Sequence, residues 1–129
     1  MGLIRRAHEG PEHKIQRALI AFLKARGWHV EHTHGSLFQT GFPDLLVMHE
    51  KWGQRWIDCK QPKRYSFTRA QRQKWPLWEA KRTGIWILTA ATQEEYDKLF
   101  QSPNWRDYAK ATWRIPTLAE IDTMLNEIE

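Results

Sequence analysis

Two short apolar runs limit what this chain can fold into. Leu45-Leu46-Val47-Met48 and Ile85-Trp86-Ile87-Leu88 are each bounded by polar or turn residues. Runs of this length suit buried strands and fall far short of the ~20 residues a membrane-spanning helix needs. Helix-period segments alternate with them. Ile15, Ala18, Leu19, Phe22 and Leu23 recur at helical spacing and Gly27 supplies a stop, which predicts a helix from about Glu12 to Arg26. Trp28 to His32 alternates as a strand, a Gly/Ser-containing connection follows, and Phe42 to Met48 reads as the next strand. The turn Trp52-Gly53-Gln54 leads into a third strand, Arg55 to Lys60. Thr68 and Gln71 have the form of a capping box opening a helix that ends before Gly84. Pro76 is expected to kink or break that helix, at ~3 kcal/mol. Ile85 to Thr89 is a fourth strand, and Thr92 with Glu95 and Thr117 with Glu120 announce two later helices. The last of these carries Leu118, Ile121, Leu125 and Ile128 on one face. The order is α-β-β-β-α-β plus C-terminal helices, in an α/β domain spanning 1–129 without repeats or linkers.

Composition agrees with a packed core: 41% of the 129 residues are hydrophobic and 12% aromatic, which speaks against disorder. The single cysteine, Cys59, can form neither an intramolecular disulfide nor a multi-cysteine zinc site. The N-terminal Met1 to Arg6 carries a basic pair without an apolar segment behind it, and Arg6 breaks the myristoylation pattern. The expectation is an intracellular, cytoplasmic protein without a membrane partner.

The net charge of +5 is unevenly spread. Residues 1–91 hold 16 Lys/Arg against 7 Asp/Glu, and residues 92–129 hold 4 against 8. The densest basic stretch, Lys60 to Arg82, is opposed only by Glu79. Lys63, Arg64, Arg69, Arg72 and Lys74 in that stretch are candidate phosphate contacts, against the plainer reading of a solvated helix face. The acidic tail reads as the outer face of a terminal helix.

Two aspartates sit where packing alone would not put them. Asp44 opens the most apolar strand directly after Pro43, and Asp58 lies inside the next strand with Lys60 two residues on. Residues i and i+2 of a strand share a face, so Asp58 and Lys60 project together while Ile57 and Cys59 point the other way. If the two strands are antiparallel neighbours joined at Gly53, Asp44 can lie beside Asp58. Paired carboxylates repel unless a cation sits between them, and hard divalent ions such as Mg²⁺ prefer oxygen ligands. An adjacent lysine can hold the attacking water and offset charge on a phosphate. These are the parts that metal-assisted phosphodiester hydrolysis needs. Taken singly, Asp44 could be a strand-entry aspartate and Asp58 with Lys60 a surface ion pair.

Gly41-Phe42-Pro43-Asp44, then Trp56-Ile57-Asp58-Cys59-Lys60, then Gln71 on the next helix, resembles the PD-(D/E)xK nuclease superfamily. Within it the chain is similar to the VRR-NUC group, through Glu12 with Ile15-Gln16, Lys60-Gln61-Pro62 and Ser66 to Gln71. The resemblance covers about residues 12–89 and leaves the extension of about 92–129 unexplained. Asp58 stands where that group more often has glutamate and Gln61 where glycine is common, and there is no Val-Arg-Arg triplet. The resemblance implies a restriction-endonuclease-like core with a mixed central sheet flanked by helices. It implies Asp44, Asp58 and the backbone carbonyl of Cys59 as ligands of Mg²⁺ (or Mn²⁺), with Glu12 joining directly or through water. Lys60 would be the catalytic lysine, and Gln71 would support the site or contact the substrate backbone. By the same resemblance the chain would be a free-standing, phage-type endonuclease of a bacterial or phage-infected cell. It would act as a homodimer on DNA, branched or four-way junctions included.

Two other readings stay open: a non-catalytic nucleic-acid-binding module of the same fold, and a nuclease subunit targeted by a partner protein. His29, His32 and His34 could suggest zinc but lack a second ligand cluster, while His8 and His13 flank Glu12. Of the eight tryptophans, Trp56 and Trp86 are expected in the core. Trp75 and Trp78 pack a helix onto the sheet or form a dimer face, as could the apolar C-terminal helix. Trp52, in a turn, is the candidate base-stacking residue.

Overall fold

The computed structural model describes residues 10–33, 39–109 and 113–128, with backbone only at 118, 124 and 128. The N-terminal basic pair, His8, the Gly/Ser-containing connection and His34 lie outside the described residues, as do the side chains of Leu118 and Ile128.

Helix α1 (Pro11–Lys24) begins with a proline in its first turn, where no amide donor is missed, and has Glu12 near its N-terminus and Lys24 near its end. A turn with Gly27 at φ +88° releases the chain into β1 (His29–His32). Strands β2 (Leu45–His49) and β3 (Gly53–Cys59) form a hairpin, and Gly53 adopts φ +79° just after its turn. Helix α2 (Arg69–Ala80) leads to β4 (Ile85–Leu88). The four strands make one sheet in the order β1-β2-β3-β4, antiparallel except for the parallel pair β3–β4. A parallel neighbour requires a crossover, and α2 is that crossover.

The fold is therefore mixed α/β, with the expected order of elements. Beyond β4 come α3 (Gln93–Asp97), 3₁₀ turns at Lys98–Phe100 and Trp105–Tyr108, and α4 (Leu118–Ile128). The two 3₁₀ turns were not legible as periodic segments, being shorter than any helical repeat.

Each sheet face has its own core. Leu19, Ile20 and Leu23 of α1 pack on Leu45, Val47, Ile57, Cys59 and Leu88. On the other side Trp75 of α2 packs with Ile85, Ile87, Trp105 and Trp113. The C-terminal segment thus closes both cores, through Leu99 on one side and Trp105 and Trp113 on the other.

Several expectations are corrected. Helix α2 runs unbroken through Pro76, whose ring is buried beside Trp75; that burial and a complete capping box at Thr68 offset the lost amide bond. Trp56 and Trp86 are only half-buried at the edge of the core, and the fully sealed indoles are Trp75 and Trp105. The acidic tail is not all outward-facing. Glu95 is buried, where it accepts from the amide and hydroxyl of Thr89 and pairs with Lys98. Among the described residues no helix is long and apolar enough to cross a membrane.

Candidate functional site

The hairpin register brings the two aspartates together. Leu45 pairs with Ile57, so one step further along the same register sets Asp44 across from Asp58. Opposed residues on antiparallel neighbours share a face, with Cβ atoms about 5 Å apart. The next strand adds to the row. His32 pairs with Leu45, which sets Thr33 across from Asp44. The amide of Thr33 donates to the Asp44 carbonyl at 2.9 Å, and its hydroxyl donates to the same oxygen at 3.1 Å and to the Pro43 carbonyl. Thr33 therefore fixes the Pro43-Asp44 entry, a role no local motif announces, because it depends on register.

The carboxylate of Asp44 accepts from the amide of Cys59 at 2.7 Å. Asp58, 1% exposed, lies 3.0 Å from the ammonium of Lys60, itself 4% exposed. The two form a buried pair, which rules out the reading as a surface ion pair. Gln71 links them: its Oε1 accepts from Lys60 Nζ at 3.2 Å, and its Nε2 donates to Asp58 Oδ1 at 3.4 Å. The same Oε1 accepts from the Thr68 amide at 3.0 Å, so the capping box and the site share one side chain. The rings of Phe67 and Trp75 stand 5.0 and 5.9 Å from the Lys60 ammonium. Neither ring was foreseen as part of the site, since aromatic residues at helix and loop positions read first as core.

Electrostatically the site is short of positive charge. Burial, then the charge of Asp44, pushes the Asp58 carboxyl up to about 8, against the pull of Lys60. Burial also raises Asp44, opposed by the Cys59 amide, by Lys60 and by a hydrogen bond with Asp58. One lysine does not neutralise two opposed carboxylates. Asp58 Oδ2, though close to Lys60, accepts no well-directed hydrogen bond within the described residues.

A cleft of about 340 Å³ opens beside Asp44, lined also by Glu12, His13, Gln16 and Gln61. Glu12 is exposed on the first turn of α1, and its charge reaches Asp58. Asp44, Asp58, Lys60 and Gln71 are thus gathered at one place, while Glu12 lines the cleft beside Asp44 without joining the two aspartates in one cluster.

Two carboxylates facing each other with a single lysine between them suit a hard divalent cation. Among the described residues no three His, Cys, Asp or Glu side chains converge on one point. A cation here would therefore take Asp44 and Asp58 as its side-chain ligands and fill its shell from backbone carbonyl and water, as Mg²⁺ does. His29 pairs with Glu31 at 3.3 Å, away from any such cluster.

The basic residues divide. Lys63, Arg64, Arg69 and Arg72 are exposed, on the loop and first turn leading from Lys60 into α2. Lys74 instead donates to the Thr40 carbonyl and lies 5.3 Å from the Phe42 ring, so its ammonium braces the loop before Asp44.

Comparison with family models, with curated proteins and with solved structures returns no match for this chain.

Proposed function

We propose that the protein is a Mg²⁺- or Mn²⁺-dependent endonuclease, a PD-(D/E)xK phosphodiesterase of the VRR-NUC kind on a restriction-endonuclease-like core. The observation that carries the reading is the opposition of Asp44 and Asp58, two carboxylates with Lys60 alone held beside them. Asp44, Asp58 and the Cys59 carbonyl would hold the cation, with Glu12, across the cleft, reaching its shell through water. When bound, the cation supplies positive charge at the phosphate and makes a water more acidic.

The chain's own residues do the rest. Gln71, Phe67 and Trp75 restrict Lys60 to one position, from which its ammonium orients the attacking water and offsets charge developing on the phosphate. Water oxygen forms the new bond to phosphorus, the bond to the leaving sugar oxygen breaks, and that oxygen takes up a proton. Lys63, Arg64, Arg69 and Arg72 would contact the flanking phosphates. One domain carries one such site, so symmetrical cutting of two strands, as in a four-way DNA junction, requires a homodimer.

A non-catalytic nucleic-acid-binding module is favoured by one observation: Asp58 and Lys60 are sealed from solvent. A panel of single-stranded, duplex, flap and four-way DNA with Mg²⁺, Mn²⁺ or EDTA separates the two. Cation-dependent cutting that EDTA abolishes supports the nuclease, and salt-sensitive binding without cutting supports the module. Sequence-blind, feeble cutting of every substrate indicates a subunit that takes its target from a partner protein.

A further inference from the structure

A second concavity lies apart from the cleft at Asp44. It is a groove of about 470 Å³ between α2 and α4, lined by Phe42, Trp56, Leu77, Trp78, Lys81 and Leu125 among others. We infer that this groove is a stacking subsite for one unpaired nucleotide of the DNA strand bound at the Asp44–Asp58 site. The inference rests on the nuclease reading for its choice of DNA but not for its test.

Three features select this occupant. Phe42, Trp56 and Trp78 form an edge-to-face trio, with centroids 5.0 to 6.0 Å apart, and all three rings are half-buried at the groove. An aromatic cluster open on one side suits a flat partner, and every base has a π-face to offer. Hydrogen bonding is the second feature. The indole N–H groups of Trp28, Trp75 and Trp86 each donate to an oxygen, whereas those of Trp56 and Trp78 have no acceptor among the described residues. Two indole donors beside the groove that the described residues leave to solvent or a ligand can be taken up by the carbonyl and ring-nitrogen acceptors of a base. Charge is the third. Among the described residues Lys81 is the only ionisable side chain lining the groove and no carboxylate lines it, and Arg82 beside it is exposed. A base attached to a phosphate meets all three requirements, and a purely apolar helix meets only the first.

Position ties the groove to the site. Trp56 and Asp58 share a face of β3, one pleat or about 7 Å apart. Phe42 precedes Asp44 by two residues, on the loop that Lys74 braces.

The test is binding in EDTA, so that it reads independently of cleavage. The probes are a decathymidylate and an abasic strand of the same length, followed through intrinsic tryptophan fluorescence and anisotropy. The wild-type protein is expected to bind decathymidylate about tenfold more tightly than the abasic strand, with quenching by the former alone. Trp78→Ala is expected to remove that preference and leave the salt slope unchanged, while Trp78→Phe keeps most of it. Lys81→Ala is expected to lower the slope by about one. Equal affinity for the two wild-type complexes overturns the subsite whether or not any variant folds. So does a Trp78→Ala protein that loses self-association while keeping the tenfold preference, because the groove would then be an interface between copies. A protein that shows the preference but cuts no DNA keeps the subsite and loses the nuclease reading.

Discussion

The ammonium of Lys60 stands 3.0 Å from Oδ2 of Asp58, and both groups are closed off from solvent. Such a pair gains stability only where its charges and hydrogen bonds are matched, and here the second carboxylate, Asp44, unbalances it. The consequences can be measured through pH, substitution and backbone geometry.

Stability without divalent ions should fall as pH rises. Asp58 has a folded pKa of about 8, above the ordinary 3.8, so the folded state holds a proton that the unfolded state has released between those values. The stabilising contribution is complete below about pH 4 and gone above about pH 8; Asp44 acts in the same direction. Thermal unfolding in EDTA at pH 5.5 and 8.5 should give the lower midpoint at 8.5, with other groups held constant by comparison with Asp58→Asn. Adding Mg²⁺ should raise the midpoint most at pH 8.5, where both carboxylates are free to bind it. A wild-type midpoint that tracks that of Asp58→Asn across this range would contradict the raised carboxyl.

Asp44→Ala, Asp58→Ala and Lys60→Ala should each abolish cleavage and leave DNA affinity within a few-fold of wild type. The exposed arginines and lysines that would bind phosphate are untouched by these changes. Gel-shift and nicking assays on the same preparations check this, and full activity in Asp44→Ala would remove the site assignment.

Gln71 should matter to both folding and activity. Gln71→Ala removes the acceptor shared by Lys60 and the Thr68 amide and a donor from Asp58, leaving the buried Lys60 and Asp58 with only each other. A loss of ~2–3 kcal/mol in denaturant unfolding is expected, with activity reduced even at temperatures where the variant is folded.

Two glycines with similar backbone angles should respond differently to alanine. At Gly41, φ +83°, a Cβ would sit 2.8 Å from the Ala70 backbone and side chain, so the loop before Asp44 must move. At Gly53, φ +79°, the added methyl meets open space. Gly53→Ala should cost only the ~1–2 kcal/mol of a left-handed residue, and Gly41→Ala distinctly more, with activity lost alongside stability. Chemical denaturation of the two variants compares them directly.

Local signals in the sequence went far. Apolar runs located β2 and β4, and the Thr68–Gln71 spacing located both the start of α2 and a residue of the site. Asp44, Asp58 and Lys60 stood out because a charge in or at a buried strand is costly unless it is used. Non-local contributions could not be read. Thr33 enters the site only through the β1–β2 register, and Phe67 and Trp75 only because α2 folds back over β3. Burial of Trp105 and Trp113 was equally hidden, since one lies in a short 3₁₀ turn and the other outside any regular element, where no periodicity marks the inward face.

The residues that set Asp58 across from Asp44 include some that never approach either. The turn at residues 50–52 sets the hairpin length from the opposite end of the sheet, ~17 Å from Asp58 by strand rise. One inserted residue there that shifted the pairing would bring Ile57 opposite Asp44 and turn Asp58 to the other face. Two would restore the facing but replace Asp58 as the partner. A tag or label grafted at this exposed turn is therefore safe only when it loops out without advancing the strand, so the choice of grafting point becomes a question of pairing arithmetic rather than of distance from the chemistry.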